Sequence, residues 1–130
     1  MRRPMLICLV GFCGIPAALA HHSFSAEFDA NQPITLTGSV TSLEWRNPHV
    51  WFYVDVKGDD GSVVSWGFEL ASPNLLLRNG WTAQSMKVGD VVMVEAYRAK
   101  NGKNLANAHG VTLTTSGKTL FTGSSSGVGL

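Results

Sequence analysis

Residues 34–56 read ITLTGSVTSLEWRNPHVWFYVDV, and their alternation sets the architecture. Ile34, Leu36, Gly38 and Val40 alternate with Thr35, Thr37, Ser39 and Thr41, the period of two expected of a half-buried strand. The apolar phase then moves to Leu43 and Trp45, which predicts a bulge or sharp bend near Thr41-Ser42. Beyond Asn47-Pro48-His49 the alternation resumes, with Val50, Phe52, Val54 and Val56 against Trp51, Tyr53 and Asp55. Two strands follow from this stretch, and the first of them is bent.

The flanking sequence extends the pattern. Residues 57–62 (KGDDGS) form a hairpin turn, with Asp60-Gly61 as the strongest turn pair. Val64, Trp66, Phe68 and Leu70 predict a third strand, and Val92, Val94 and Ala96 a fourth after a Gly89-Asp90 turn. Residues 100–104 (KNGKN) turn the chain again, and Leu105 to Leu113 reads as a fifth strand. Between the third and fourth strands, Ser72 caps a short helix. Pro73 takes its first position, Leu75, Leu76 and Leu77 fill it, and Gly80 ends it. Thr82 can cap one further turn through Met86. A small five-stranded barrel with a helix between strands 3 and 4 is the oligonucleotide/oligosaccharide-binding layout. A bent first strand fits it, because one strand must serve both sheets. The runner-up is a small open sandwich.

At the amino end, Arg2 and Arg3 precede 11 apolar-rich residues, Met5 to Ile15, then Pro16 and Ala18-Leu19-Ala20. This is the pattern of a cleaved export signal over residues 1–20, and the apolar run is too short for a membrane-spanning helix. Cleavage after Ala20 leaves 110 residues with eight basic and nine acidic side chains, net charge −1. Cys8 and Cys13 depart with the signal, so no disulfide or thiolate site is expected. The expected location is the periplasm or outside the cell, with no stable membrane anchor. The full chain has 130 residues and 45% apolar composition, enough for one folded domain and too small for a multidomain enzyme. Its net charge of +1 offers no polybasic face, so nucleic acid is not an expected partner. Residues 21–33 read as an arm leading to a barrel over 34–121, in which Phe24 and Phe28 can pin the arm by packing. Residues 122–130 (TGSSSGVGL) read as a disordered Gly/Ser tail.

Four histidines carry the chemical signal: His21, His22, His49 and His109. Cleavage after Ala20 gives His21 a free α-amine beside its imidazole, two nitrogens in chelating reach of one metal ion. His22 adds a third, and His49 or His109 can complete the set if the arm folds back. Imidazole without thiolate suits Cu(II), Ni(II) or Zn(II), with copper highest in intrinsic affinity. Pro48 holds His49 at a strand entry between Trp45 and Trp51. His109 is in phase with Leu105, Asn107 and Val111, which looks inward or toward a barrel mouth. The competing reading makes all four histidines incidental or structural. Trp51 and Tyr53 lie opposite the Phe52 phase, with Trp45 nearby. They can stack on a flat ligand if exposed, or be covered by the arm or the short helix. Asp55, Glu69 and Glu95 read as solvated charges on the same outward phase. No nucleophile elbow, zinc-protease helix or P-loop is present, and no carboxylates are placed as an acid/base pair, so an enzyme is not expected.

HHSFSAEFD, TGSVTSLEWRNPHVWFYVDV, SWGFELASPNLLLRNGWT and GDVVMVEAYRAKNGKNLANAHGVTL together resemble a family of small exported bacterial proteins, domain-of-unknown-function family 6152. The resemblance covers nearly all of 21–121 and includes His21, His22 and Asn47-Pro48-His49. It implies an exported domain of similar fold and no particular activity. Small periplasmic proteins of the oligonucleotide-binding fold are similar in strand layout. Two functions follow as expectations. One is a metal-holding accessory protein using His21, His22 and His49. The other is a non-metal module that binds an envelope protein, a glycan or a small flat ligand through its aromatics. A copper oxygenase built on the terminal histidine is a weaker third.

Overall fold

The computed structural model describes residues 24–122. The export signal, His21 and His22 lie outside the described residues, as does the tail beyond Thr122. A four-residue helix α1 (Phe24–Glu27) leads directly into β1 (Phe28–Glu44). Next come β2 (Trp51–Lys57), β3 (Val63–Glu69), α2 (Pro73–Arg78), β4 (Val91–Ala99), β5 (Leu105–Leu113) and β6 (Thr119–Thr122). The sheet runs β3-β2-β1-β4-β5-β6, antiparallel throughout, and a parallel pairing of β3 with β5 closes it into a ring. Among the described residues no helix is long and apolar enough to cross a membrane.

The 17-residue β1 performs the double duty that its phase shift implies. Its Pro33–Ser39 half pairs with β4, its Ser39–Glu44 half pairs with β2, and the register slips between Val40 and Ser42. Gly38 stands just before that slip. A Cβ there would run into the Asp55 carbonyl and sit 2.7 Å from Val54 Cγ1, so β1 and β2 cross closely only because the position is bare. The helix also forms where its signals stand. The Ser72 side chain accepts a hydrogen bond from the Leu75 amide at 3.3 Å, Pro73 opens the first turn, and Asn79 and Gly80 close it.

The barrel interior collects the even phase of each strand: Val50, Phe52 and Val54, then Trp66, Phe68 and Leu70, then Val92, Val94 and Ala96. Phe52 stacks on Phe68 with centroids 5.2 Å apart. Leu76 of α2, Trp81 and Met86 plug one end. Each large side chain so buried contributes roughly 1.5–3 kcal/mol.

Three placements depart from the sequence reading. First, β1 begins at Phe28, inside the stretch read as an arm, and Phe28 pairs with Ala99 before the register slips to Pro33. Second, β6 adds a sixth strand on the Gly110–Thr112 half of β5. Third, the inward phase of β5 is Ala106 and Ala108, then Val111. Glu95 pairs with Gly110 and the next residue, Ala96, with Ala108, so His109 is the extra residue of a bulge. The bulge flips the phase, which is why Leu105, Asn107 and His109 face out of the barrel while Val111 faces in.

Candidate functional site

Four strands place one residue each in a single row on the outer face of the barrel. Trp51 pairs with Glu69, Glu69 with Asn107, and Asn107 with Tyr97. An outer row should be wet. Instead Glu69 is 5% exposed and Asn107 is fully buried, while Trp51 and Tyr97 are half-buried. The sequence reading of Glu69 as a solvated charge is therefore corrected.

The arm packs on this face. Phe28 is buried, Phe24 lies 5.8 Å from it by ring centroid, and Phe24 meets the edge of Tyr97 at 5.7 Å. Tyr97 in turn packs against His109 at 4.6 Å. Lys100 staples the arm's main chain twice: its amide donates to the Glu27 carbonyl at 2.9 Å and its ammonium to the Ser25 carbonyl at 2.6 Å. The two phenylalanines thus pin the arm as their spacing predicts, and they pin it across this row.

His49 stands in the loop before β2, partly exposed, with its Nδ1 against Oε1 of Glu69. Burial pushes the Glu69 carboxyl up to about 7, and the Glu27 charge pushes in the same direction. An imidazole that donates its Nδ1–H to this carboxylate keeps its lone pair on Nε2, turned away from the carboxylate.

Between α1 and the 100–104 turn lies a cleft of about 530 Å³. Trp51, Phe28, Ala99 and Leu105 supply its apolar walls, and Glu27, Lys100 and Asn101 its polar ones. Gly67 bears on it through Leu105. A Cβ there would meet Leu105 Cδ2 at 2.7 Å and Tyr53 Cε1 at 3.1 Å, so the bare position lets Leu105 lie across β3 toward Tyr53.

The sequence-derived candidates therefore separate. His49 and Trp51 belong to this face, and His109 reaches it only through Tyr97. Tyr53 is half-buried beside Gly67. Trp45 packs against the core instead, edge-on to Trp81 at 6.4 Å. Among the described residues no three His, Cys, Asp or Glu side chains converge as a metal site. Glu69, Glu27 and Asn107 were missed. A lone Glu inside Phe68-Glu69-Leu70-Ala71 was the available signal, since a carboxylate in an apolar run is either a solvated alternate or buried with a partner.

A family match spans residues 10–111, from within the predicted signal to the end of the β5 core. The chain belongs to the family of unknown function DUF6152. Among solved structures, Rim1, a mitochondrial single-stranded DNA-binding protein from S. cerevisiae, is similar to this DUF6152 chain with a TM-score of 0.51. The identity is 13%, and the likeness covers 67% of this chain and 94% of that one. It establishes the oligonucleotide-binding type of barrel and nothing about ligand. No curated protein matches the chain.

Proposed function

We propose that this protein is an exported accessory protein of the periplasm or cell exterior. It holds a divalent metal ion, with copper favoured, through the His21 amine and imidazole, His22 and His49. The observation that supports it is the His49–Glu69 contact. Metal-binding imidazoles characteristically donate one ring N–H to a carboxylate, which fixes the tautomer and directs the other nitrogen at the ion. Here the carboxylate is buried and the imidazole partly exposed, the order such a site needs.

Chain length supports the rest of the set. Phe24 lies on the same outer face, against Tyr97. His22 and His21 are two and three residues upstream, so their Cα atoms fall within about 7 and 11 Å of Phe24. His109 lies beside Tyr97 as a reserve ligand. The DNA ligand of Rim1 is not carried over. Asp55 and Glu95 occupy outward strand positions, where a phosphate backbone calls for cations.

Mass spectrometry of the exported protein, followed by Cu(II) titration against a chelating competitor, tests the proposal. The expected mature terminus is His21, and His49→Ala should weaken copper binding at least about tenfold. A terminus elsewhere, or affinity unchanged in His49→Ala, overturns it. The second outcome leaves only the weak binding any His-His terminus shows.

A further inference from the structure

One edge of β3 is only half covered. The ladder with β2 continues at Leu70, whose amide donates to the Val50 carbonyl at 2.8 Å, so the even residues of β3 bond to β2. The odd residues turn their N–H and C=O groups the other way. Gly67 and Glu69 meet β5 there, and the Gly67 amide donates to the Asn104 carbonyl at 3.0 Å. That pairing begins at Gly67, so Val63 and Ser65 point theirs along an edge that β5 does not reach. Native edge strands are guarded by lysine, proline or a bulge. Residues 62–66 read SVVSW, with no charge, no proline and an unbroken register on β2. Val63 is 60% exposed, and Val64 is exposed as well.

We infer that β3 pairs antiparallel with β3 of a second copy of this chain, about a two-fold axis at Val64. This register sets Val63 opposite the partner's Ser65, and Ser65 opposite the partner's Val63. All four are edge-directed residues, so each pair exchanges two hydrogen bonds, and the two Val64 side chains meet on the axis. An axis at Ser65 would set Val63 against Gly67, which β5 already occupies, and an axis at Val63 would set Ser65 against the Gly61 turn. A two-fold contact closes at a dimer and does not run on as a filament. Charge fits the same register. It brings the partner's Gly61 to Gly67, where Asn104 stands, so the 57–62 hairpin tip of one copy lies against the 100–104 turn of the other. The tip carries exposed Asp59 and Asp60, and the turn exposed Lys100 and Lys103. The axis makes this match twice. Val64 stands five residues along β3 from Glu69, so the pairing needs neither His49 nor a metal ion.

The test is sedimentation velocity on the exported protein from about 5 µM to 1 mM, in chelator so that no metal ion bridges two copies. The contact is small, so a reversible dimer with a dissociation constant of about 10–500 µM is expected. Val64→Lys sets like charges face to face on the axis and should weaken association at least about tenfold, with unchanged circular dichroism. Asp59→Lys and Lys103→Asp should each weaken it about threefold, and the double variant should restore it. A role for either residue within one copy predicts no such rescue. A monomer throughout, a mass that rises past the dimer, or association only on adding copper overturns the inference. So does association untouched by Val64→Lys, or charge reversals without rescue. If Val64→Lys fails to fold, Val63→Pro takes its place with the same expectation, because it removes an edge N–H and no bond to β2.

Discussion

Phe68 and Glu69 are neighbours on β3 and almost equally buried, yet opposite faces of the barrel bury them. Phe68 points inward, between Phe52 and Trp66, in a core assembled from every strand of the closed sheet. Glu69 points outward, and a short helix and two phenylalanines pack on that same face. The inner face is covered by the topology itself. The outer face carries a strap made of α1 and the Phe28 that opens β1. A buried group therefore reports stability on one face and a site on the other.

The widest gap between the two faces appears on truncating the inner residue. Phe68→Ala empties a fully buried position stacked on Phe52, and should cost about 3–5 kcal/mol. The measurement is urea unfolding followed by far-UV circular dichroism. A cost below about 1.5 kcal/mol would mean that the core can collapse around the loss and that the inner face is not what closes the barrel.

The outer residue behaves in the opposite sense, and depends on pH. The folded protein holds the Glu69 carboxyl near 7, above its ordinary 4.5, so the folded state binds the proton more tightly than the unfolded state does. The stability this provides is complete below about pH 4.5 and is lost as pH rises through about 7. Glu69→Gln removes the titration. In chelator it should be nearly neutral at pH 4 and stabilising by on the order of 2 kcal/mol at pH 8, read from unfolding curves at both pH values. Parallel pH profiles for Glu69→Gln and the parent would show that the strap does not bury the carboxyl, and the contrast between faces would fail.

Much of the inner face is legible in the sequence. The alternation of 50–56 and 64–70, the phase shift at Thr41-Ser42 and the Ser72-Pro73 helix start are local signals, each fixed by residues a few positions apart. The outer site is not legible in that way. Its row joins Trp51, Glu69, Asn107 and Tyr97 from four strands, and register between distant strands has no local signature. His109 shows the same limit. Its phase with Leu105 and Asn107 was visible, but the bulge that turns those three outward and Val111 inward depends on pairing with Glu95 and Ala96. His49 was found because Pro48 and two tryptophans surround it in sequence, and its carboxylate partner was not, because Glu69 lies 20 positions away. The sixth strand was missed for a simpler reason. Thr119–Thr122 is short and borders a Gly/Ser run, so nothing in its composition separates it from the tail.

The smallest effect is the finest probe of the strap side. At Gly67 a new methyl would meet the end of the Leu105 side chain at 2.7 Å and the Tyr53 ring at 3.1 Å, with no backbone atom among those contacts. Leu105 can swing away, so Gly67→Ala should cost less than about 1 kcal/mol, at the low end of overpacking penalties. The displaced Leu105 has the cleft beside Trp51 to move toward. The cleft should therefore narrow while the urea midpoint barely changes. The inner face offers no such separation, since any change of volume there is felt by the whole barrel. If Gly67→Ala instead destabilises the fold by more than about 2 kcal/mol, Leu105 is held as firmly as a core residue. The outer layer would then be a second core rather than a cover over a site.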